Sequence, residues 1–480
     1  MKILSMAIIF ISYMFVSSAN WVVRKFGNVT YEQIMFHLKT PLDSETKLIM
    51  SYLQNTVMMA VIVTIAAYIL TIKMTKKKCF LFSLACLCGA FLLSWNTLNI
   101  GNLIDEYKNH KITGTFYEEH YVDSHQVKIT APAKKRNLIM IFAESMESTY
   151  ANEKYFGANL MPNLQKYAEE NIHFSHNEGL GGFQNINGAK YTQASMVSQL
   201  CAIPLRLPVR AKRYRPKNGF LPGALCLGDI LAENGYNQSF MIGMTKFFSG
   251  TDRYLETHGN QKVLDWEFYS VRDNLPDDTD EKRKRIVRDI DLFNYAKTEI
   301  LELAGQNKPF SFTIMTMDTH FGDEHFEPKK CQIKYHDKGL KDKYNPKNVV
   351  SCSDLQIAEF VEWIKSQPFY ENTEVVIVGD HLTMSSTIFD DKVERTVYDV
   401  YMNSSVQDKS HTTNRQFTAL DTLPTLLEGL GYTIEGHKLG LGVSLFSGEK
   451  TLLEQGISLD TLNTELDRQS KIYDKLLFGN

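Results

Sequence analysis

The chain has 480 residues, of which 52 are Lys or Arg and 55 are Asp or Glu, so its formal net charge is −3. A chain of this length can hold two or three domains. Its balanced charge gives no indication of nucleic-acid binding, and no nucleic acid is expected among its partners.

Three stretches near the N-terminus carry no Asp, Glu, Lys or Arg: 3–23, 48–72 and 79–104. As helices, they are long enough to cross about 30 Å of hydrocarbon. They predict a membrane region whose three hydrophobic segments lie at about 3–20, 53–72 and 79–100, within residues 1–104. The first segment also has the features of a cleavable secretory signal, because Lys2 precedes an apolar run that ends in small residues.

A lysine-rich turn separates the second and third segments. It contains Lys73, Lys76, Lys77 and Lys78 and is too short to be a domain. By the positive-inside rule, this turn lies in the cytoplasm. The residues that follow position 104 are therefore predicted to lie on the outer side of the membrane, whether or not the first segment is cleaved.

The cysteines agree with an exterior location for the larger part of the chain. Three of the seven fall in the third segment, where a thiol behaves as a small apolar residue. The other four can form two disulfides in an oxidising compartment. The closest spacings suggest the pairs Cys201–Cys226 and Cys331–Cys352.

A polar juxtamembrane connector at residues 105–135 leads to a different pattern, in which apolar stretches typical of buried strands alternate with helical stretches. The predicted strands are 137–144, 239–242, 310–317 and 375–378, and the predicted helices begin near 162 or span 227–234, 290–304 and 353–366. This alternation predicts the α/β class with a doubly wound, mostly parallel sheet. Residues 449–480 are predicted to form an appended helical tail.

Three of the predicted strands finish on ionisable residues. These endings are Glu144, the Asp318-Thr319-His320 cluster and Asp380-His381. Ligands of open α/β sheets bind at the carboxyl ends of the strands, so these side chains are expected to meet there. The mixture of carboxylate oxygen and imidazole nitrogen suits Mn or Zn better than an all-oxygen calcium site. A single ending of this kind is usually no more than a solvated turn.

Thr192 is the candidate nucleophile. It follows the glycine-rich stretch GLGGFQNING, and TQASMVSQL then has the pattern of a helix. The amino end of a helix favours an anionic phosphate or sulfate, and a hydroxyl next to a divalent cation can lose its proton and attack phosphorus. The alternative is that Thr192 only caps the helix.

The order of the motifs NLIMIFAES, YTQASMVSQLCAIPL, CLGDIL, TMDTHF and VGDHLTM resembles the exterior domain of bacterial phosphoglycerol transferases, in the alkaline phosphatase and sulfatase superfamily. The resemblance covers roughly residues 136–448. It implies that Glu144, Thr192, Asp380 and His381 hold one divalent metal, with Mn²⁺ favoured over Zn²⁺ or Mg²⁺. It also implies that Thr192 is the nucleophile and that His320 contacts the substrate phosphate or transfers a proton.

The same resemblance implies a function and a location. The protein is expected to transfer phosphoglycerol from phosphatidylglycerol to a periplasmic glucan or another glycan acceptor, through a phosphothreonine intermediate, with release of diacylglycerol. It is expected to be a multi-pass protein of the bacterial inner membrane with its catalytic domain in the periplasm.

Several alternatives remain open. In the related lipoteichoic acid synthases, the tryptophan and arginine that grip phosphoglycerol should fall within FFSGTDRYLETHG, and they cannot be carried over to Phe248, Ser249, Gly250 and Thr251. A two-zinc phosphoethanolamine transferase would need further ligands, for which His176 is a better candidate than His173 or His325. A sulfatase or phosphodiesterase is less favoured, since CAIPLR places Pro204 one position too late for a sulfatase motif. A non-catalytic membrane-anchored scaffold is disfavoured because the hydroxyl and the other ligands are all present.

Overall fold

The structure is a computed structural model of the whole chain, taken without ligands. It describes residues 1–27, 29–31, 33–35, 50–206, 219–272, 286–320, 324–337, 341–342, 345–385, 388–389 and 393–479. Most of the segment between the first and second hydrophobic stretches therefore lies outside the described residues.

Ten short or medium strands occur in the described residues. They are β1 Ile129–Thr130, β2 Asn137–Ala143, β3 Asn237–Ile242, β4 Lys262–Leu264, β5 Phe310–Met315, β6 Thr373–Gly379, β7 Asp399–Met402, β8 Thr433–Ile434, β9 Lys438–Leu439 and β10 Gly442–Val443. Six of them form the central sheet, in the order β4-β3-β5-β2-β6-β7.

The helices of the described residues comprise three in the N-terminal region and a longer series around the sheet. They are α1 Lys2–Phe26, α2 Met59–Thr71, α3 Lys76–Thr97, α4 Ile100–Asn109, α5 Phe116–His120, α6 Glu153–Phe156, α7 Pro162–Glu170, α8 Thr192–Cys201, α9 Leu227–Glu233, α10 Thr251–Thr257, α11 Trp266–Arg272, α12 Asp289–Ala304, α13 Pro346–Lys365, α14 Thr422–Gly429, α15 Leu459–Leu466 and α16 Lys471–Phe478.

The central sheet is parallel except at one edge, where β7 runs antiparallel to β6. The α/β class and the mostly parallel sheet predicted from the sequence are confirmed. The two edge strands, β4 and β7, were not predicted. Both are short, and β4 carries only three residues, so neither has a long enough apolar run to be distinguished from a loop.

Alternate side chains of β2 face opposite sides of the sheet. Leu138, Met140 and Phe142 belong to one hydrophobic core, while Ile139 and Ile141 belong to the other. The first core includes residues of α8, α9 and α14, and the second includes residues of α7, α12 and α13. A strand that is buried on both faces reads as a continuous apolar run, which explains the pattern NLIMIFA.

Three N-terminal helices are long and apolar enough to cross a membrane: Lys2–Arg24, Met50–Thr71 and Lys76–Thr97. Lys2 Nζ donates a hydrogen bond to the carbonyl of Ile72, so the start of α1 lies beside the lysine-rich turn. At the other end of the helices, Trp21 Nε1 donates to Ser51 Oγ at 3.3 Å. The lysine-rich turn and the contact between Trp21 and Ser51 thus lie at opposite ends of these helices.

The C-terminal helices pack onto the main unit. Leu462 and Leu466 of α15 and Tyr473 and Leu477 of α16 are buried within the first core. In the connector, β1 pairs with β8 in antiparallel register. The connector and the C-terminal helices are therefore both packed against the unit that contains the sheet.

Two disulfides occur, and they are the pairs suggested by sequence spacing. Cys201 is bonded to Cys226, and Cys331 is bonded to Cys352. The first joins the last residue of α8 to the residue before α9. It therefore ties the far end of the helix that begins at Thr192 to a neighbouring helix.

Candidate functional site

The register of the sheet brings two of the predicted strand endings side by side. Ala143 of β2 is paired with Gly379 of β6, so Glu144 and Asp380 follow at the same level on adjacent strands. A side chain at Gly379 would collide with the carbonyl oxygen of Met146. Glycine is therefore required there for these two backbone segments to approach this closely. The pairing of β2 with β6 therefore explains why Glu144 and Asp380, which each follow an apolar strand in the sequence, lie side by side.

Backbone hydrogen bonds hold the Asp380 carboxylate in place. Its Oδ1 atom accepts from the N–H of Ser145 at 2.7 Å and from the N–H of His381 at 2.8 Å. Ser145 has a left-handed φ of 52°, which turns its N–H toward the carboxylate. Its hydroxyl donates to Glu144 Oε1 at 2.8 Å. One residue in a rare conformation thus contacts both carboxylates.

Thr192 lies at the start of α8, directly beside these groups. Its Oγ1 donates a hydrogen bond to Glu144 Oε2 at 3.3 Å and lies 3.4 Å from His381 Nε2. The N-cap position of α8 is occupied by Tyr191, and no side chain caps this helix. The alternative in which Thr192 serves only as a helix cap therefore does not describe the structure.

The carboxylates and the imidazole are almost completely buried. Glu144 and His381 are 1% exposed, and Asp380 is 0% exposed. Burial, together with the nearby Glu144, raises the pKa of Asp380 to about 7. Burial also opposes ionisation of Glu144, but His381, His320 and the hydrogen bond from Ser145 hold the pKa of its carboxyl below the usual value. The buried carboxylates therefore lie in a field that favours a nearby positive charge.

The donor atoms of Glu144, Asp380 and His381 lie within 4.8 Å of one another and could hold a metal ion. Asp380 Oδ2 is buried, lies 3.2 Å from His381 Nε2 and accepts no hydrogen bond from the described residues, which is a costly arrangement for a carboxylate oxygen unless a cation satisfies it. His381 Nδ1 contacts the carbonyl of Leu382 at 2.8 Å, leaving Nε2 directed toward the carboxylates. These residues fit a divalent cation, with two oxygen donors and one nitrogen donor.

His320 lines the same pocket as Thr192. It follows β5, and Glu144 also lines this pocket, which lies at the carboxyl ends of the strands. Its Nδ1 atom is buried and makes no hydrogen bond with the described part of the chain. The structure thus brings five predicted residues to one place: Glu144, Thr192, His320, Asp380 and His381.

His176 lies apart from the cluster formed by Glu144, Asp380 and His381. Its Nε2 atom is 3.1 Å from Asn177 Nδ2 and 3.6 Å from Glu394 Oε1. His173 Nδ1 contacts the backbone carbonyl of Asp399, in β7, at 2.7 Å, which is a structural contact. In the described residues, neither histidine joins Glu144, Asp380 and His381 as a further ligand.

The loop after His381 is fixed by a buried ion pair that sequence reasoning did not single out. Glu147 is fully buried and is paired with Arg395, and its Oε1 accepts from the N–H of Thr383 at 2.7 Å. Burial raises the pKa of Glu147, while Arg395 opposes that shift. The only sequence feature that could have drawn attention to Glu147 is its position three residues after Glu144. Nothing in the sequence indicated that Arg395 would be its partner.

Side chains of α8 also bind the backbone around Asp380. Ser195 donates to the Asp380 carbonyl oxygen, and Gln199 Nε2 donates to the Gly379 carbonyl at 3.0 Å. Both side chains are 0% exposed. The helix that carries Thr192 is therefore docked by two further polar residues onto the strand that carries Asp380 and His381.

A comparison with known families matches the sulfatase family to residues 136–432. Phosphoglycerol transferase I of Shigella flexneri is 33% identical over 339 residues, which are 67% of this chain and 40% of that protein. A relative of the same name from Salmonella paratyphi B is 32% identical over 341 residues, with the same two coverages. The chain thus spans about two fifths of the length of the curated relatives that it matches.

Two solved structures share the fold. The lipoteichoic acid synthase LtaP from Listeria monocytogenes has a TM-score of 0.53 and 16% identity, covering 67% of this chain and 79% of that chain. The integral membrane lipooligosaccharide phosphoethanolamine transferase A from Neisseria meningitidis has a TM-score of 0.50 and 14% identity, covering 90% of this chain and 84% of that chain. The second likeness extends over more of this chain than the first does.

Proposed function

The chain belongs to the sulfatase family, and on that basis we propose that it is a membrane-anchored phosphotransferase that moves phosphoglycerol from phosphatidylglycerol to a glycan. The relatives named phosphoglycerol transferase I support this reaction class. Thr192 is the proposed nucleophile, and a periplasmic glucan is the proposed acceptor. Phosphoethanolamine transfer is the alternative.

The observation that carries the proposal is the position of the Thr192 hydroxyl. It is hydrogen-bonded to one buried carboxylate and lies 3.4 Å from a buried imidazole, at the amino end of a ten-residue helix. It also faces a pocket in which a phosphate could be seated. A threonine used for packing or capping has no need of these neighbours.

Glu144, Thr192, Asp380 and His381 are the proposed metal ligands. The ion would act as a Lewis acid that favours the ionised hydroxyl and neutralises charge on phosphate oxygens. Manganese is the proposed metal because the set combines carboxylate and imidazole donors, and zinc or magnesium remain the alternatives to test.

In the first half of the reaction, Thr192 Oγ1 forms a bond to phosphorus and the bond from phosphorus to the diacylglycerol oxygen breaks. The proton lost by Thr192 is balanced by the proton that diacylglycerol gains on leaving. His320 is the proposed group that contacts the phosphate oxygens or delivers this proton. His381 is the poorer candidate for proton transfer because its free nitrogen is directed at the carboxylates.

In the second half, an acceptor hydroxyl attacks the same phosphorus from the side opposite Thr192 Oγ1, which leaves and regains the proton that the acceptor loses. The bond between phosphorus and the oxygen of the headgroup glycerol stays intact in both halves. The free enzyme is restored, and the glycan carries phosphoglycerol. Two successive displacements through one side chain allow donor and acceptor to use the site in turn.

The contact between the membrane region and the site loop supports a lipid donor. Gly27, just after α1, packs closely against the backbone and side chain of Met384, which follows His381 by three residues. Gln33 also approaches Met384, with Nε2 4.0 Å from its sulfur. We infer that the site opens near the outer membrane surface, where the phosphodiester of a phospholipid lies.

The proposed location is the bacterial inner membrane, with the catalytic unit in the periplasm. The basis is the lysine-rich turn, which the positive-inside rule assigns to the cytoplasm, at the end of the helices away from the Gly27 contact. The two disulfides are consistent with an oxidising compartment.

The deciding experiment is mass spectrometry of the full-length protein after incubation with phosphatidylglycerol vesicles and Mn²⁺. The expected result is a phosphoglycerol adduct on the peptide that contains Thr192, with stoichiometric release of diacylglycerol before acceptor is added. A phosphoethanolamine adduct formed from mixed lipids would support the alternative. Diacylglycerol release without an adduct on Thr192, under rapid quenching, would contradict the covalent mechanism.

A further inference from the structure

The pocket beside Thr192 has walls of two kinds. One wall is apolar and rich in methionine, with Met196, Met244, Met315 and Met317. The other is polar but uncharged and consists of Gln193, Ser249 and Thr251. Apart from Glu144 and His320 of the catalytic cluster, the described residues that line this pocket carry no ionisable side chain.

Gln193 has an unusual position within this pocket. It follows the nucleophile directly and is 2% exposed. Its Oε1 atom accepts a hydrogen bond from Thr251 Oγ1 at 2.8 Å, and the same hydroxyl lies 2.9 Å from the carbonyl oxygen of Phe248. Its Nε2 atom is buried and makes no hydrogen bond with the described part of the chain. A buried amide nitrogen without a partner costs about 1–3 kcal/mol, which a hydrogen-bond acceptor bound in the pocket would recover.

We propose that Gln193, with Ser249 and Thr251, forms a subsite for the uncharged polyol headgroup of the donor lipid, an inference that rests on the function proposed above. The Gln193 amide donates to a headgroup hydroxyl, and the Ser249 hydroxyl completes the polar wall. Thr251 acts as a positioning residue, because its own hydroxyl holds the amide oxygen.

The chemistry of the subsite distinguishes glycerol from ethanolamine. A glycerol hydroxyl accepts a hydrogen bond from an amide N–H and can donate one to a serine oxygen. An ammonium group has three hydrogen-bond donors and no acceptor. It therefore cannot accept a hydrogen bond from the N–H of Gln193, and the two donors would repel each other. It would also find no carboxylate among the described lining residues other than Glu144, which is proposed as a metal ligand. The subsite therefore selects an uncharged headgroup.

The test compares initial rates of adduct formation by the full-length protein with vesicles of phosphatidylglycerol and vesicles of phosphatidylethanolamine. Replacing Gln193 with leucine keeps the side-chain size and removes the N–H donor. The expected result is about a tenfold fall in kcat/KM with phosphatidylglycerol and no fall with phosphatidylethanolamine. The exposed Gln126, changed to leucine in the same way, is the matched control and should leave both rates unchanged.

Two further variants sharpen the test. Gln193→Glu replaces the donor with an acceptor of the same shape and should shift the ratio of the two rates toward phosphatidylethanolamine by at least about tenfold. Thr251→Val keeps the side-chain volume and frees the amide, so it should lower the phosphatidylglycerol rate by about threefold. It provides a second reading if Gln193→Leu does not fold.

The outcomes separate the two proposals. If the unmodified protein forms the phosphoglycerol adduct but the lipid ratio is the same in Gln193→Leu and Gln193→Glu as in the Gln126→Leu control, the headgroup subsite is wrong and the proposed function stands. If the unmodified protein forms no adduct from phosphatidylglycerol, the proposed function and this inference both fail.

Discussion

Replacing Thr192 with alanine should abolish transfer and leave the fold nearly unchanged. The side chain caps no helix, and its hydroxyl donates one hydrogen bond, to Glu144 at 3.3 Å, and lies 3.4 Å from His381 Nε2. Losing that bond costs about 1 kcal/mol. For a unit of more than 250 residues this corresponds to a fall of roughly 2 °C or less in the unfolding temperature. Thermal unfolding of the full-length protein in detergent measures it.

The loss of activity should be far larger than the loss of stability. Removal of a nucleophile from a covalent mechanism lowers kcat by on the order of 10⁶-fold. The nearby serines cannot take its place, because Ser195 donates to the Asp380 carbonyl beneath the site and Ser145 donates to Glu144. Each hydroxyl is held by its own bond, and reaching phosphorus would require backbone movement.

The assay is release of diacylglycerol from phosphatidylglycerol vesicles at saturating Mn²⁺, followed in parallel with the adduct mass. Thr192→Ser is the matched variant, since it keeps the oxygen and loses only a methyl group. It should retain measurable transfer and form an adduct on the serine. If Thr192→Ala released diacylglycerol at the rate of the unmodified protein, the reasoning that makes Thr192 the nucleophile would be refuted.

Three other predictions concern the metal, the supporting ion pair and the topology. Asp380→Asn should weaken metal binding, so that activity lost at low Mn²⁺ partly returns with excess Mn²⁺; a loss that no ion concentration alters would contradict a ligand role. Arg395→Met should lower the free energy of unfolding by about 3 kcal/mol near pH 8, because it leaves the Glu147 carboxylate buried without its partner. Since the pKa of Glu147 then rises further, this deficit should shrink as the pH falls toward about 5, and Glu147→Gln should cancel most of it in the double variant; a deficit independent of pH would refute the assignment. A reporter active only outside the cytoplasm should work when fused after residue 105 and fail at Lys77, and the opposite pattern would overturn the orientation.

The sequence predicted the parts of the fold that local patterns determine. Long apolar runs identified β2 and β6, because strands buried on both faces show little alternation and end abruptly at polar residues. The strand β5 was also predicted, although Ser311 and Thr313 interrupt its apolar residues. Pro at the first turn of α7 marked a helix start. The start of α13 was missed by seven residues, since its first turns are polar and begin at Pro346. Propensity and periodicity could not place the short edge strands.

The sequence also predicted which residues would gather at the site, but not what holds them there. Glu144, Asp380 and His381 follow apolar strands, so their shared edge could be inferred. Arg395 is separated from Glu147 by 248 positions, and such a pair depends on the tertiary fold. The amide of Gln193 was likewise invisible, because a glutamine in a helical stretch is ordinarily an exposed helix former.

A count of charges explains why the site suits a divalent ion. In the described parts of the loops that follow β2 and β6, three carboxylates are buried, those of Glu144, Asp380 and Glu147. Arg395 pairs with Glu147 and neutralises it. The two remaining carboxylates carry a charge of −2 if ionised, and burial of such a pair is unfavourable without compensation. Burial lowers the pKa of His381, but Asp380 and Glu144 together raise it above its usual value. The raised pKa of Asp380 expresses the cost of burying the two carboxylates, and a bound divalent cation would reverse it. Because Arg395 neutralises Glu147, one divalent ion would balance the charges of Glu144 and Asp380. Proton binding by Asp380 and metal binding should therefore compete as the pH falls below about 7.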